Sequence, residues 1–254
     1  MTSKMHRLHI PKVGEGVLNI PGGTPYEVDT IQQYDLGTYA RFGRKGFVYA
    51  KAGGTIVPDI GAKQANSQKI GYVSVQAIAL VNATEIAITS DVSCTKDELK
   101  GGEVVVFLAA EEKAFTRGIV GNDAMTATDT LTLQLDSPIP VALDTNDHAE
   151  VIIDPYNGVT QTNNEWTPVM GMPVIGATDG QFLWLQVSGI SWCAPEADVS
   201  AAVNTIEVCF KGQNGSLMVR DSANLGCQRA GMVIAPNTTG NGQGAPFIML
   251  NIDH

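Results

Sequence analysis

The acidic turn at residues 144–150 is the part of the chain whose side chains are best suited to bind a metal ion. Asp144, Asn146 and Glu150 surround His148 in this turn. A calcium loop requires oxygen ligands at alternating positions, closed by a bidentate glutamate, and these residues approximate that pattern. The match is incomplete, however, and a short polar run of this kind is also typical of a solvated turn. We therefore interpret residues 144–150 as a turn and predict no metal site there.

Other patterns that carry chemistry are missing from the sequence. It contains no GxSxG, HExxH, GxxxxGKS/T or GxGxxG motif. His6 and His9 stand three residues apart, but the prolines and glycines around them favour no regular element that would fix a metal geometry. The glycines at 240–244 lack the lysine and the following helix of a phosphate-binding loop, which favours a turn. We therefore predict that the protein is not an enzyme and has no cofactor.

The four cysteines are Cys94, Cys193, Cys209 and Cys227, and no two of them form a CxxC pair. This spacing argues against a zinc ribbon and against a thioredoxin-type redox site. A chain of 254 residues can bury enough apolar surface to fold without disulfides. We therefore expect the cysteines to be mostly buried thiols in a protein made in a reducing cytoplasm.

Three tryptophans, Trp166, Trp184 and Trp192, fall in one stretch together with Tyr156 and Phe182. Aromatic rings grouped in this way can form a surface on which sugars stack, as in a carbohydrate-binding module. They can equally fill the core of a β-sandwich, where tryptophan side chains bury a large apolar area. The sequence leaves both interpretations open.

The net charge of −10 is concentrated in one part of the chain. Residues 118–210 contain 12 acidic residues and no lysine or arginine. Such a stretch cannot easily hold a nucleic-acid backbone, so we predict no nucleic-acid partner and an acidic outer surface that faces solvent or cations. No apolar run is long enough for a secretion signal or a membrane span, so neither export nor a membrane partner is expected.

Short alternating runs separated by glycine-rich turns indicate an all-β fold. Residues 38–50 predict a tight hairpin around Gly43–Gly46, and Asp179-Gly180 predicts a second hairpin between 172–175 and 182–187. Further strands are expected at 72–75, 85–89, 103–108 (buried on both faces), 130–135, 206–210, 216–219, 231–234 and 247–250. Thr95–Glu98 has the pattern of a capping box and predicts one helical turn. The prediction is an antiparallel β-sandwich or barrel-like body with short hairpins and very little helix.

Residues 1–30 are predicted to form an extended N-terminal arm, and residues 31–254 a β-rich body in which the acidic region, about 118–210, forms an outer part or second lobe. Prolines and glycines prevent a compact fold in the arm, yet the arm carries seven large apolar side chains. A free tail has little reason to carry them, so we expect the arm to clasp a neighbouring subunit or a partner surface. The expected contact residues are Lys4, Arg7, Leu8, Ile10, Lys12, Val17, Leu18 and Ile20.

Several segments resemble the decoration (cement) proteins of tailed bacteriophage heads. The resemblance covers about residues 35–250 and leaves the arm outside. Its segments are structural rather than catalytic: Asp35–Arg41, Phe47–Thr55, Leu133–Leu143, Asp154–Asn157, Gly171–Ala177 and Phe182–Gly189.

The resemblance implies a virion protein, made in the host cytoplasm, that lies on the outer surface of an icosahedral head. Members of this family typically brace subunits of the major capsid protein, often as homotrimers at local three-fold positions. A head fibre or host-glycan-binding virion protein remains an alternative and requires exposed tryptophans. A polysaccharide-degrading β enzyme is a further alternative, which requires two converging carboxylates in a cleft.

Overall fold

The computed structural model describes residues 24–65, 68–110, 113–127, 129–161, 167–195, 199, 206–211, 214–220, 226–235 and 246–252. These residues form sixteen β-strands and no helix, which confirms the all-β prediction. In chain order the strands are β1 (Tyr39–Phe42), β2 (Lys45–Ala52), β3 (Ala62–Lys63), β4 (Gln68–Ser74), β5 (Glu85–Thr89), β6 (Glu103–Leu108), β7 (Lys113–Asn122), β8 (Thr130–Leu135), β9 (His148–Ile152), β10 (Asn157–Val159), β11 (Val169–Pro173), β12 (Phe182–Trp192), β13 (Glu207–Phe210), β14 (Leu217–Val219), β15 (Arg229–Ala235) and β16 (Phe247–Asn251).

The chain divides into two compact units. Unit 1 combines residues 1–65 with residues 156–254, and unit 2 consists of residues 66–155, which are inserted between them. The acidic stretch 118–210 follows neither boundary, because 118–155 belong to unit 2 and 156–210 to unit 1. Charge marks residues that face water, whereas the unit boundary follows the hydrophobic cores.

Unit 1 is a ten-stranded sheet whose main path runs β1-β2-β12-β16-β15-β13-β14. All of its pairings are antiparallel except that of β10 with β2. The opening hairpin is confirmed, but its turn is the two residues Gly43-Arg44, because Phe42 lies opposite Lys45 and the predicted turn residues Lys45 and Gly46 belong to β2. Gly43 has a φ of 63°, which a tight turn of this length requires and which glycine adopts without steric cost.

The second predicted hairpin of unit 1 is confirmed, and the strands expected between residues 206 and 250 are present and pair antiparallel. Met172 lies opposite Gln186 across the Asp179-Gly180 turn, and Val208 lies opposite Val219 in the β13–β14 hairpin. β15 and β16 form the last antiparallel pair, which joins β16 to β12 in the middle of the sheet. The long pairing of β2 with β12 was not predicted, because some 130 residues of sequence separate the two strands.

Unit 2 is a six-stranded antiparallel sheet in the order β4-β9-β6-β7-β8-β5. Its two edges meet at a bridge between Val75 and Ile88, where the Gln76 N–H donates to the Ala87 carbonyl at 2.8 Å. The sheet therefore curls towards a barrel and encloses its own core. That core is made of aliphatic side chains from every strand, including Ile70, Ile86, Ile88, Val104, Val106, Ile119, Leu131, Leu133, Ala149 and Val151.

Two local predictions in unit 2 are wrong. β6 is buried on one face only, since Val104 and Val106 face the core while Val105 is half-buried. Thr95–Glu98 forms hydrogen-bonded turns instead of a helix, although the Glu98 carboxylate accepts the Thr95 N–H at 2.8 Å as a capping box would. The chain cannot continue as a helix because Asp97 has a φ of 60°.

The expectation of mostly buried thiols needs correction at two of the four cysteines, because Cys209 and Cys227 form a disulfide. Cys209 lies opposite Arg229 in the β13–β15 pairing. Cys227 is only two residues before Arg229, and the two cysteine Cα atoms are 5.9 Å apart, within the usual range for a disulfide. Cys94 and Cys193 are free and buried, as expected.

Candidate docking surfaces

A loop of unit 2 exposes three large aliphatic side chains close together in the sequence. Ile78 and Leu80 are each 73% exposed and Val81 is 50% exposed. We refer to residues 77–83 as the apolar loop. Single exposed apolar residues are ordinary, but a group of neighbouring ones indicates a surface for association.

The backbone of the apolar loop is held firmly. Ala79 and Leu143 exchange hydrogen bonds of 3.2 Å and 2.8 Å, and the Asn82 N–H donates to the Ile139 carbonyl at 3.0 Å. The Ile139 N–H in turn donates to the carbonyl of Ala83 at 2.9 Å. The loop therefore presents Ile78, Leu80 and Val81 in a fixed arrangement, which lowers the entropic cost of binding a partner.

A second apolar surface lies on one face of the unit 1 sheet. Ile190 is opposite Met249, and Met249 is opposite Met232, so these three side chains form a row across β12, β16 and β15. Phe247 and Ile234 extend the surface along the same strands. These five residues, which we call the outer apolar face, are each 43–51% exposed.

The sequence itself contains an indication of the outer apolar face. Polar and apolar residues alternate in a strand with one face in water, but Phe247–Leu250 is apolar at every position. Ile248 and Leu250 fill the core of unit 1, so Phe247 and Met249 must point to the other face. An apolar run in such a strand predicts that something covers both faces.

Trp184 belongs to the core of unit 1 and is 3% exposed. Its ring centroid lies 5.0 Å from that of Tyr49 and 5.2 Å from that of Tyr34. Burial and a 2.7 Å hydrogen bond from the Tyr49 hydroxyl to Asp29 raise the pKa of Tyr49 well above its usual range. Trp184 is therefore not part of a sugar-binding surface; Trp192 is half-buried and Trp166 lies outside the described residues.

An aromatic row on unit 2 was not anticipated from the sequence. The exposed ring of Tyr72 stacks on His148 with the centroids 4.2 Å apart, and Phe107 follows at 5.6 Å from Tyr72. The three residues come from β4, β9 and β6, which are neighbours in the sheet. A single sequence gives little sign of this row, because it depends on the pairing of strands that are far apart in the chain.

The acidic turn at 144–150 is closed by its own hydrogen bonds. The Asp147 carboxylate accepts the N–H groups of Asp144 and Ala109, both at 2.9 Å, and the Asp144 carboxylate accepts the Asn146 N–H at 2.7 Å. Among the described residues no group of three or more histidine, cysteine or acidic side chains could hold a metal ion.

Residues 24–30, the end of the predicted arm, lie on unit 1. Asp29 forms an antiparallel bridge with Phe182, and the two residues exchange hydrogen bonds of 2.9 Å. Val28 packs against the core beside β2. The contact residues predicted in the arm all lie outside the described residues: Lys4, Arg7, Leu8, Ile10, Lys12, Val17, Leu18 and Ile20.

Comparisons with protein families, curated sequences and solved structures give no match for this chain. Within the described ranges, no helix is long and apolar enough to cross a membrane.

Proposed function

We propose that this protein is a structural virion protein that decorates the outer surface of an icosahedral phage head. In this proposal it bridges subunits of the major capsid protein and associates with itself as a homotrimer. The segments that resemble decoration proteins supply the class, and they fall largely on strands and turns of the β body.

The apolar loop is the observation that carries the proposal. A protein that braces a lattice needs a rigid contact surface that stays exposed until assembly, and Ile78, Leu80 and Val81 have these properties. Burying two such aliphatic side chains contributes on the order of 3–6 kcal/mol before the costs of association. Many weak contacts of this size, repeated over a lattice, suffice to hold a decoration protein in place.

A host-glycan-binding virion protein is the second candidate, and one observation favours it. Sugars stack on flat exposed rings, and the Tyr72–His148–Phe107 row offers such rings on the surface of unit 2. The tryptophans support this alternative less, because a glycan-binding surface requires exposed tryptophans and Trp184 is buried.

The experiment compares binding of the purified protein to heads that lack it, by pelleting and by a density map of the decorated particle. We expect many copies on the outer shell. Replacing Ile78 and Leu80 together by serine should weaken binding by at least roughly a hundred-fold, because two buried contacts are removed. The matched control is Ile31→Ser, since Ile31 is 72% exposed but lies in unit 1.

Failure of the wild-type protein to bind heads would refute the proposal. Equal binding by the double variant and the wild type would show that the apolar loop is not the contact. If Tyr72→Ala abolishes binding to host glycans while heads are not bound, the glycan-binding candidate is correct instead.

A further inference from the structure

We propose that residues 1–23 pack across the outer apolar face formed by Ile190, Met232, Ile234, Phe247 and Met249. This inference goes beyond the proposed function, because it concerns how the chain covers its own surface and makes no use of the phage head.

The size of the face suits an extended segment better than a whole second subunit. Five side chains of this kind, each about half exposed, present on the order of 500 Å² of apolar surface. A stable interface between two folded bodies buries about 800 Å² on each partner. An extended peptide needs a much smaller buried area, because a few of its side chains make most of the contact.

The apolar residues of the N-terminal segment have the spacing that this face requires. Leu8 and Ile10, and likewise Leu18 and Ile20, are two residues apart in the sequence. In an extended chain such a pair lies on one side, about 6.6 Å apart. The exposed pairs Phe247 and Met249, and Met232 and Ile234, have the same two-residue spacing along their strands.

The chain is also attached close enough to reach the face. Asp29 is bridged to Phe182 at the start of β12, and Ile190 lies eight residues further along that strand. Eight strand residues span about 26 Å. The 23 residues before Thr24 can extend over roughly 75 Å, so the segment can reach and cover this face of its own molecule.

Met232 and Met249 provide a direct probe, because a covered methionine is oxidised more slowly than an exposed one. The experiment exposes the full chain and a variant lacking residues 1–23 to hydrogen peroxide and follows each methionine by mass spectrometry. We expect oxidation of both residues to be at least roughly ten-fold faster in the truncated protein, which corresponds to about 1.4 kcal/mol of docking. Met125, a half-buried methionine of unit 2, is the internal control and should not change.

A substitution in the full chain separates docking from any effect of shortening it. Leu18→Asp with Ile20→Asp should accelerate oxidation of Met232 and Met249 as the truncation does. The matched control, Thr2→Asp with Ser3→Asp, adds the same charge without removing apolar side chains and should leave the rates unchanged.

Equal oxidation rates in the full and truncated chains would overturn the proposal, provided circular dichroism shows both folded. Protection that depends on protein concentration but not on residues 1–23 would also overturn it, since a second body would then cover the face. Protection by the N-terminal segment supports it at any concentration.

Discussion

The disulfide between Cys209 and Cys227 ties the neighbouring strands β13 and β15 near one end of the unit 1 sheet. The two cysteines are separated by 18 residues in the sequence. Closing a loop of this length reduces the entropy of the unfolded chain and stabilises the fold by about 3 kcal/mol. We expect Cys209→Ser with Cys227→Ser to lower the free energy of unfolding by that amount in urea titrations.

The free cysteines provide the control for this prediction. Burial raises the pKa of the Cys193 thiol to about 12, and burial also raises the pKa of Cys94. Both should resist a thiol reagent at neutral pH in the native protein and react once it is unfolded, with or without the disulfide. Four reactive thiols in the unfolded protein without reductant would show that Cys209 and Cys227 are not bonded.

At the level of single residues, the sequence predicted which side chains are buried better than it predicted which side chains pair with each other. The burial of Cys94 and Cys193 follows from their apolar character, and both are buried. The pairing of Cys209 with Cys227 depends on the register of β13 against β15, which no local pattern specifies. The same limit applies to the stacking of Tyr72 on His148, which requires β4 and β9 to be neighbours.

Gly231 allows β15 and β16 to pair closely. Its φ is 151°, and a Cβ atom built at this position would lie 2.0 Å from the carbonyl oxygen of Met249. Gly231→Ala should therefore force the strands apart and lower the free energy of unfolding by at least about 3 kcal/mol, measured by chemical denaturation.

Gly226 is the matched control, since a Cβ atom there would meet nothing within 4 Å. Gly226→Ala should leave stability unchanged or raise it slightly, because alanine restricts the unfolded chain. Equal effects of the two substitutions would mean that the close approach at Gly231 has no energetic role.

Glu98 gives the turn at 95–102 a pH dependence. Burial alone would raise the pKa of Glu98, but the contact with Lys69 at 2.7 Å and the bonds from the Thr95 N–H and hydroxyl outweigh it, so its pKa falls below the ordinary 4.5. A carboxyl group whose pKa is lowered by folding stabilises the fold above its unfolded pKa. That stabilisation is lost as the pH falls through the folded pKa.

We therefore expect Glu98→Gln to unfold at a lower temperature than the wild type at pH 7, and the difference to shrink at an acidic pH below the lowered pKa of Glu98, where its carboxyl group is also neutral. Thermal melting at both pH values measures this. The exposed Glu85→Gln is the control and should show little difference at either pH. A constant difference for Glu98→Gln would assign its effect to shape instead of charge.

Elements that a turn defines locally were predictable. Gly43-Arg44 and Asp179-Gly180 specify their hairpins because few residues suit the backbone of a two-residue or tight turn. The buried face of β6 could not be predicted. Val104–Phe107 is apolar at every position, so periodicity does not show which side of the strand is covered. The closing strands β15 and β16 were found, but their exposed face was missed for the same reason.

Unit 2 should fold without the rest of the chain. Among the described residues, every buried member of its core cluster lies between Ile70 and Val151 and therefore belongs to unit 2. We expect residues 66–155, expressed alone, to give a β-type circular dichroism spectrum and one cooperative thermal transition. A non-cooperative melt of the isolated segment would contradict this, and the isolated segments 1–65 and 156–254 are the controls that should each fail to fold.

The division into two units could not be predicted, because it depends on contacts between residues that are far apart in the sequence. β2 and β12 pair although all of unit 2 lies between them in the sequence, and this pairing makes one sheet from two chain segments. The acidic region predicted at about 118–210 begins within β7, so charge does not mark where unit 2 begins or ends. The resemblance to decoration proteins likewise described segments and gave no strand order.

The chain leaves unit 1 and returns to it at neighbouring points. Lys63 and Thr160 exchange backbone hydrogen bonds of 2.7 Å and 2.8 Å, just outside the ends of the insertion. Because these two points of unit 1 are adjacent, a short turn can join them if unit 2 is removed. A domain of unrelated sequence can also be inserted there in place of unit 2. Recombination between genes can therefore exchange unit 2 without changes in unit 1. The same junction is a suitable site for grafting an enzyme or an epitope.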